Sequence, residues 1–112
     1  MTRFRVLRHP LVARDISRIA GFLLEHATPQ SVAEKIAVLD EDASSLAENP
    51  YRGTRRGEIV PGLRAIPSAG KGVIAFEVRE DTRTVRILSI TWGGFDWLGR
   101  IVDRARHRGI PG

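Results

Sequence analysis

The sequence predicts an α+β fold in the order β-α-α-β-β-β with a C-terminal helix, its helices layered on a mainly antiparallel sheet. Apolar residues recur at helical spacing through two successive stretches near the N-terminus, joined by only a few residues. Two runs dominated by Val, Ile, Phe and Thr follow in the second half, separated by a short turn. With 112 residues and no cysteine, these elements form one domain over 1–112, large enough to bury a core without disulfides.

Residues 3–8 alternate apolar and basic, which predicts a half-buried strand with Phe4 and Val6 inward and Arg3, Arg5 and Arg8 at or near the other face. Pro10 then stands where a helix start tolerates a missing N–H. Val12, Ile16, Ile19, Ala20 and Leu23 mark an amphipathic helix reaching about Glu25. Thr28 caps the next helix and Pro29 takes its first position. Val32, Ile36, Leu39, Ala43 and Leu46 give that helix its apolar stripe, and Asn49-Pro50 ends it. The short join between the two makes an antiparallel helical hairpin.

Residues 51–62, rich in Gly and Arg, read as a loop, and 63–66 as a short strand at best. Strands over 73–79 and 84–92 are joined at Glu80-Asp81-Thr82 into a hairpin. Gly93-Gly94 stops the last strand. Asp96 is placed to cap a basic helix over 96–108, lined on one side by Leu98, Ile101, Val102 and Ala105.

The formal net charge of +5 is unevenly spread. Residues 1–24 set Arg3, Arg5, Arg8, Arg14 and Arg18 against Asp15 alone, while 25–49 carry six acids against Lys35. Residues 50–74 are again basic. The cations are nearly all arginine, whose planar fork suits phosphates and carboxylates, so nucleic acid and acidic proteins are both candidate partners. Zero cysteine removes thiolate metal sites and a thiol nucleophile, and it fits a cytoplasmic location. No apolar run is long enough for a membrane helix, so no membrane partner is expected.

Motifs for hydrolytic or metal chemistry are missing. Gly70-Lys71-Gly72 lacks the strand, spacing and following Ser/Thr of a phosphate loop and reads better as a turn. His9, His26 and His107 lie in separate elements without ligand spacing, so no metal site and no cofactor are expected. Asp40, Glu41 and Asp42 are adjacent and point round a helix, forming a solvated face.

The opening strand, "ARDISRIAGFLLEHATPQSV", "LAENPYRG", "EIVPGLRAIP" and "GVIAFEVREDTRTVRILSITWGG" occur in an order and spacing that resembles the RelE/ParE toxins of bacterial type II toxin–antitoxin modules, closer to ParE. The resemblance covers about residues 3–95. It implies a helical hairpin on a small curved sheet, and a growth-inhibiting toxin of the kind that stabilises plasmids. It also implies a toxin–antitoxin hetero-oligomer with a cognate antitoxin. A groove rimmed by Arg5, Arg8, Arg14 and Arg18 is the expected antitoxin surface.

Two activities are associated with that family. ParE-like members bind and inhibit DNA gyrase without being enzymes; RelE-like members cut messenger RNA on the ribosome. For RNA cleavage the resemblance points to Arg64 as phosphate clamp, with Lys71 or Arg79 assisting. The end of the last strand carries Ile90-Thr91-Trp92 where ribonuclease members usually carry Tyr or His, and an indole offers only a donor N–H. The expectation is therefore a gyrase inhibitor, with mRNA cleavage or a non-toxic antitoxin-binding relative as alternatives. Trp92, Phe95, Trp97, Arg100 and Arg104 are the expected target contacts, against the simpler reading that the aromatics pin the last helix to the sheet.

Overall fold

The computed structural model describes residues 3–93 and 98–106, without the side chains of residues 98 and 99. Its elements are β1 (Arg5–Arg8), α1 (Val12–Leu24), α2 (Pro29–Ser45), β2 (Thr54–Arg55), β3 (Leu63–Ser68), β4 (Gly72–Arg79), β5 (Thr84–Trp92) and α3 (Leu98–Arg106). The five strands form one sheet in the order β1-β5-β4-β3-β2. Only the β1–β5 pair is parallel; the others are antiparallel.

Local chemistry sets the helix starts. Thr28 caps α2, its hydroxyl accepting from the Ser31 N–H at 3.1 Å, and Pro29 opens the first turn. At α1 the cap residue is Leu11, which has no side-chain acceptor, and His9 serves instead. The His9 carbonyl accepts from Val12 N–H at 2.9 Å and its Nδ1 from Leu11 N–H at 3.1 Å. The His9 N–H donates to the Ile87 carbonyl at 2.8 Å, so one residue ends β1 and begins α1.

The helical hairpin covers one face of the sheet. Val12, Ile19, Leu23, Val32, Leu39, Ala43 and Leu46 pack on Ile66, Ile74, Phe76, Val85, Ile87, Ile90 and Trp92. Burying each large aliphatic or aromatic side chain here is worth about 1.5–3 kcal/mol. Strand alternation puts Leu63, Ala75 and Leu88 on the opposite face, where Ile101 and Ala105 of α3 meet them.

Both faces are served by β5 through a bulge. Ala75 pairs with Ser89 but Phe76 pairs with Ile87, leaving Leu88 as an extra residue. Ile87 and Ile90 can then both face the hairpin while Leu88 faces α3.

Several boundaries differ from the sequence expectation. The segment 51–62 is not all loop: Thr54 and Arg55 pair with Ala65 and Arg64 as β2. The next strand runs on to Ser68 through Pro67, which is tolerated because β2 pairing ends at Ala65 and that edge needs no further donor. Arg8 falls on the hairpin side, in phase with Phe4 and Val6, and bonds Asp40 of α2 at 2.9 Å. Gly94, Phe95, Asp96, Trp97 and His107, with the Leu98 side chain, lie outside the described residues. No helix among the described residues is long and apolar enough to cross a membrane.

Candidate functional site

β1 ends at Arg8 opposite Ile87, because the chain turns through Pro10 into α1. The outer edge of β5 beyond that point would be bare. Side chains replace the missing strand: Asp15 Oδ2 accepts the Ile90 N–H at 3.0 Å, and Arg104 Nη1 donates to the Leu88 carbonyl at 2.9 Å. The two side chains also form a bidentate ion pair, Nη1–Oδ2 at 2.5 Å and Nη2–Oδ1 at 2.9 Å. Asp15 is 2 % exposed and Arg104 6 %. This buried pair therefore links α1 to α3 around the rim of the sheet.

A second arginine secures α3 from the sheet. Arg86 on β5 pairs with the buried Glu77 through Nε at 3.1 Å. Its Nη2 donates to the Ala105 carbonyl at 3.0 Å and the Arg104 carbonyl at 3.3 Å, supplying the end of α3 with donors and positive charge. The helix thus owes its place to a small apolar contact and two guanidinium anchors.

Beside the first anchor, a cavity of about 390 Å³ opens between α1, the end of β5 and α3. Ile19, Ile90 and Trp92 give it an apolar lining, and Phe22, 43 % exposed, flanks it. Arg18 and Arg100 stand at the cavity with Asp15. Arg100 reaches Asp15 Oδ1 only at 3.5 Å, so Asp15 is committed chiefly to Arg104.

A second depression lies at the far end of β3 and β4, lined by Tyr51, Arg55, Arg64, Val78 and Glu80 among others. Arg64 lies over the Tyr51 ring, 5.4 Å from its centroid, and donates to the Tyr51 carbonyl at 2.9 Å. The Tyr51 hydroxyl donates to Glu80 Oε1 at 2.6 Å. That hydrogen bond, with lesser help from desolvation and the Glu80 charge, raises the phenol above its ordinary value; Arg64 and Arg83 oppose it. Tyr51 is accordingly a neutral donor at physiological pH. Arg55 and Arg64 are direct cross-strand partners, a like-charge pairing that favours an anion nearby.

The expected site residues are scattered. Lys71 lies in the β3–β4 turn, five residues from the Phe76 that pairs with Arg64, or about 16 Å along the strand. Arg79 falls in phase with Ala75 and Glu77, on the α3 face rather than the face of Arg64, and its Nε lies 3.7 Å from Asp81. Arg5 and Arg14 are exposed, while Arg8 is engaged by Asp40. Trp92 and Arg104 correct the picture of an exposed target surface: Trp92, at 7 % exposure, belongs to the hairpin core, and Arg104 is spent on Asp15 and Leu88. Of that set Arg100 alone is partly exposed; Phe95 and Trp97 lie outside the described residues.

Asp15 and Tyr51 are the residues that sequence reasoning did not single out for a site. Asp15 had a signal, since it follows Val12 by three and precedes Ile19 by four, within the buried stripe of α1. Tyr51 had none, because β2 and the fold of 51–62 bring it to Arg64. Among the described residues no three His, Asp or Glu side chains gather as a metal-holding group.

Three solved structures that share this fold are two toxin–antitoxin systems and a toxin in its free state. The chromosomal ParDE system of Pseudomonas aeruginosa superposes with a TM-score of 0.68 at 18% identity, over 81% of this chain and 97% of that one. The RelBE2 toxin–antitoxin complex of Mycobacterium tuberculosis gives 0.55 at 18% identity, over 81% and 99%. A free-state double mutant of Escherichia coli RelE gives 0.60 at 11% identity, over 92% and 98%. No curated protein sequence matches the chain. A family sequence model does, the one described as ParE toxin of type II toxin-antitoxin system, parDE, over residues 6–97. With a match across most of its length and the architecture of ParDE and RelBE toxins, the chain belongs to the ParE toxin family of type II toxin–antitoxin systems.

Proposed function

We propose that this ParE-family toxin inhibits growth by binding DNA gyrase, and that a cognate antitoxin neutralises it. The observation that carries the choice of target is the dispersal of the cations that RNA cleavage would need. Arg64 is stacked on Tyr51, Lys71 is about 16 Å away along the strand, and Arg79 is on the opposite face. A transition-state clamp requires preorganised donors converging on one phosphate. Stoichiometric binding requires no such convergence.

Titrating the purified, folded chain into gyrase-catalysed supercoiling of relaxed plasmid tests this reading. Inhibition that saturates near one toxin per enzyme, and that the antitoxin reverses, is the expected result. No inhibition by a folded sample overturns it.

One arrangement favours mRNA cleavage as the second reading. Tyr51, Arg55 and Arg64 share a depression in which a protonated phenol stands beside two guanidiniums, a general acid next to phosphate donors. Cleaved transcripts that disappear with both Arg64→Ala and Tyr51→Phe would replace the gyrase reading with this one.

A further inference from the structure

Cross-strand pairing sets two arginines side by side at the far end of the sheet. Arg55 of β2 is the direct partner of Arg64 of β3, so both side chains leave the same face with their Cβ atoms about 5 Å apart. Neither forms an ion pair with a carboxylate among the described residues, and Arg55 is exposed. Such a like-charge pair destabilises the ladder unless an anion lies across it. The one acidic side chain outside the described residues, Asp96, is tethered to Gly93, whose N–H bonds Lys71 at the opposite end of the sheet.

The surrounding depression fixes Arg64 and leaves most of its fork unused. The Tyr51 carbonyl accepts from Arg64 Nη1 at 2.9 Å, and the Tyr51 ring stacks on the guanidinium. Phe4 meets that ring edge-on at 6.0 Å, and the phenol hydroxyl is engaged by Glu80, so the platform under Arg64 is itself held. Glu80 is the one carboxylate lining the depression. Arg83 stands close enough to act on the phenol and adds a third positive charge.

The lining selects among anions. An acidic protein segment would anchor through apolar or aromatic contacts. Here Leu63 is buried, Val78 half-buried, and the face of Tyr51 is taken by Arg64. A nucleic-acid backbone is held by arginine donors without such anchors.

We propose that Arg55 and Arg64 form a phosphate-binding site for the backbone of duplex DNA, with Arg83 at its margin. Their forks take the non-bridging oxygens of one phosphodiester or of two neighbours. The choice of DNA rests on the gyrase reading above: gyrase presents a protein surface with DNA held across it, and this site lets the toxin touch both. The contact breaks no bond and reads no base.

Anisotropy of a short labelled duplex, titrated with the full chain in the absence of gyrase, measures binding across a salt series. Arg55→Ala and Arg64→Ala should each weaken binding about fivefold to tenfold at about 0.1 M salt and lower the salt slope by about one. Arg55→Ala is the decisive variant, because its side chain holds nothing among the described residues; circular dichroism checks Arg64→Ala, which loses the Tyr51 contact. Glu80→Gln should tighten binding, and Lys35→Ala, on the acidic helix α2, should leave the slope unchanged. The side-chain Nε–H resonances of Arg55 and Arg64 should shift as duplex is added.

An unchanged slope in Arg55→Ala, an equal loss in Lys35→Ala, no tightening by Glu80→Gln, or unmoved resonances would each overturn the proposal. So would displacement of the duplex by poly-glutamate at equal charge, or binding of single-stranded RNA in place of the duplex. Supercoiling inhibition is read separately. No duplex binding with inhibition intact sinks the phosphate site alone, and duplex binding without inhibition sinks the gyrase reading alone.

Discussion

Asp15 places a negative charge within the apolar stripe of α1, and its position is sustained by what it holds rather than by solvent. Asp15→Asn keeps the shape but leaves the Arg104 guanidinium buried without a counter-charge. The expected loss is about 3 kcal/mol, read as a lower urea midpoint at constant slope. Replacing both partners, Asp15→Leu with Arg104→Met, should recover most of that loss. About 1 kcal/mol should remain, because Ile90 N–H still lacks an acceptor. At the other end of the sheet, the protein's sole tyrosine allows a clean titration. Glu80→Gln removes the carboxylate that favours the neutral phenol, so the phenolate absorbance midpoint should fall toward the ordinary 10.0. The raised value also gives a sign: the Tyr51–Glu80 bond supports the fold below that ordinary value and is lost as pH rises through the phenol's own.

At the scale of elements, the helical hairpin and the β4–β5 pair were legible because each repeats one period over many residues. Thr28-Pro29 marked the start of α2 by its own chemistry. β2 was not legible, since two exposed residues carry no period, and it forms only because β3 offers an edge. The role of Arg104 was hidden for a different reason: an arginine in a basic helix looks solvated until another element supplies its carboxylate. Of the expected site residues, Arg18, Arg100 and Trp92 are brought to one cavity, which nothing in their sequence spacing announced. Two glycines separate element propensity from element geometry. Gly21 is exposed within α1 and a Cβ there meets nothing within 4 Å, so Gly21→Ala should stabilise by about 0.5–1 kcal/mol. Gly53, at φ +84° just before β2, would drive a Cβ into the Ala65 backbone, and Gly53→Ala should cost more than about 1 kcal/mol. Thermal unfolding of the two variants should shift in opposite directions.

For the whole molecule, the sheet carries a large core under the hairpin and a small one under α3, joined at the rim by Asp15 and Arg104. Ending the chain after Gly93 uncovers Leu63 and Leu88, and it leaves both Asp15 and Glu77–Arg86 without their α3 partners. The expected result is a broad, early thermal transition. Loss of toxicity in that truncation would then report unfolding, and a point change such as Arg106→Glu, on the exposed end of α3, is the better probe of a target contact.

The bulge at Leu88 has an implication for how the two cores share one strand. Removing Leu88 alone would restore strict alternation through Val85, Ile87, Ile90 and Trp92, so every side chain under the hairpin would keep its side of the sheet. What would vanish is the Leu88 side chain, which belongs to the small cluster with Leu63, Ala75, Ile101 and Ala105, and the carbonyl that accepts from Arg104. A single residue therefore lets one strand feed two cores: its loss would leave the hairpin core in phase and thin the small core under α3, with Asp15–Arg104 and Arg86 still holding that helix.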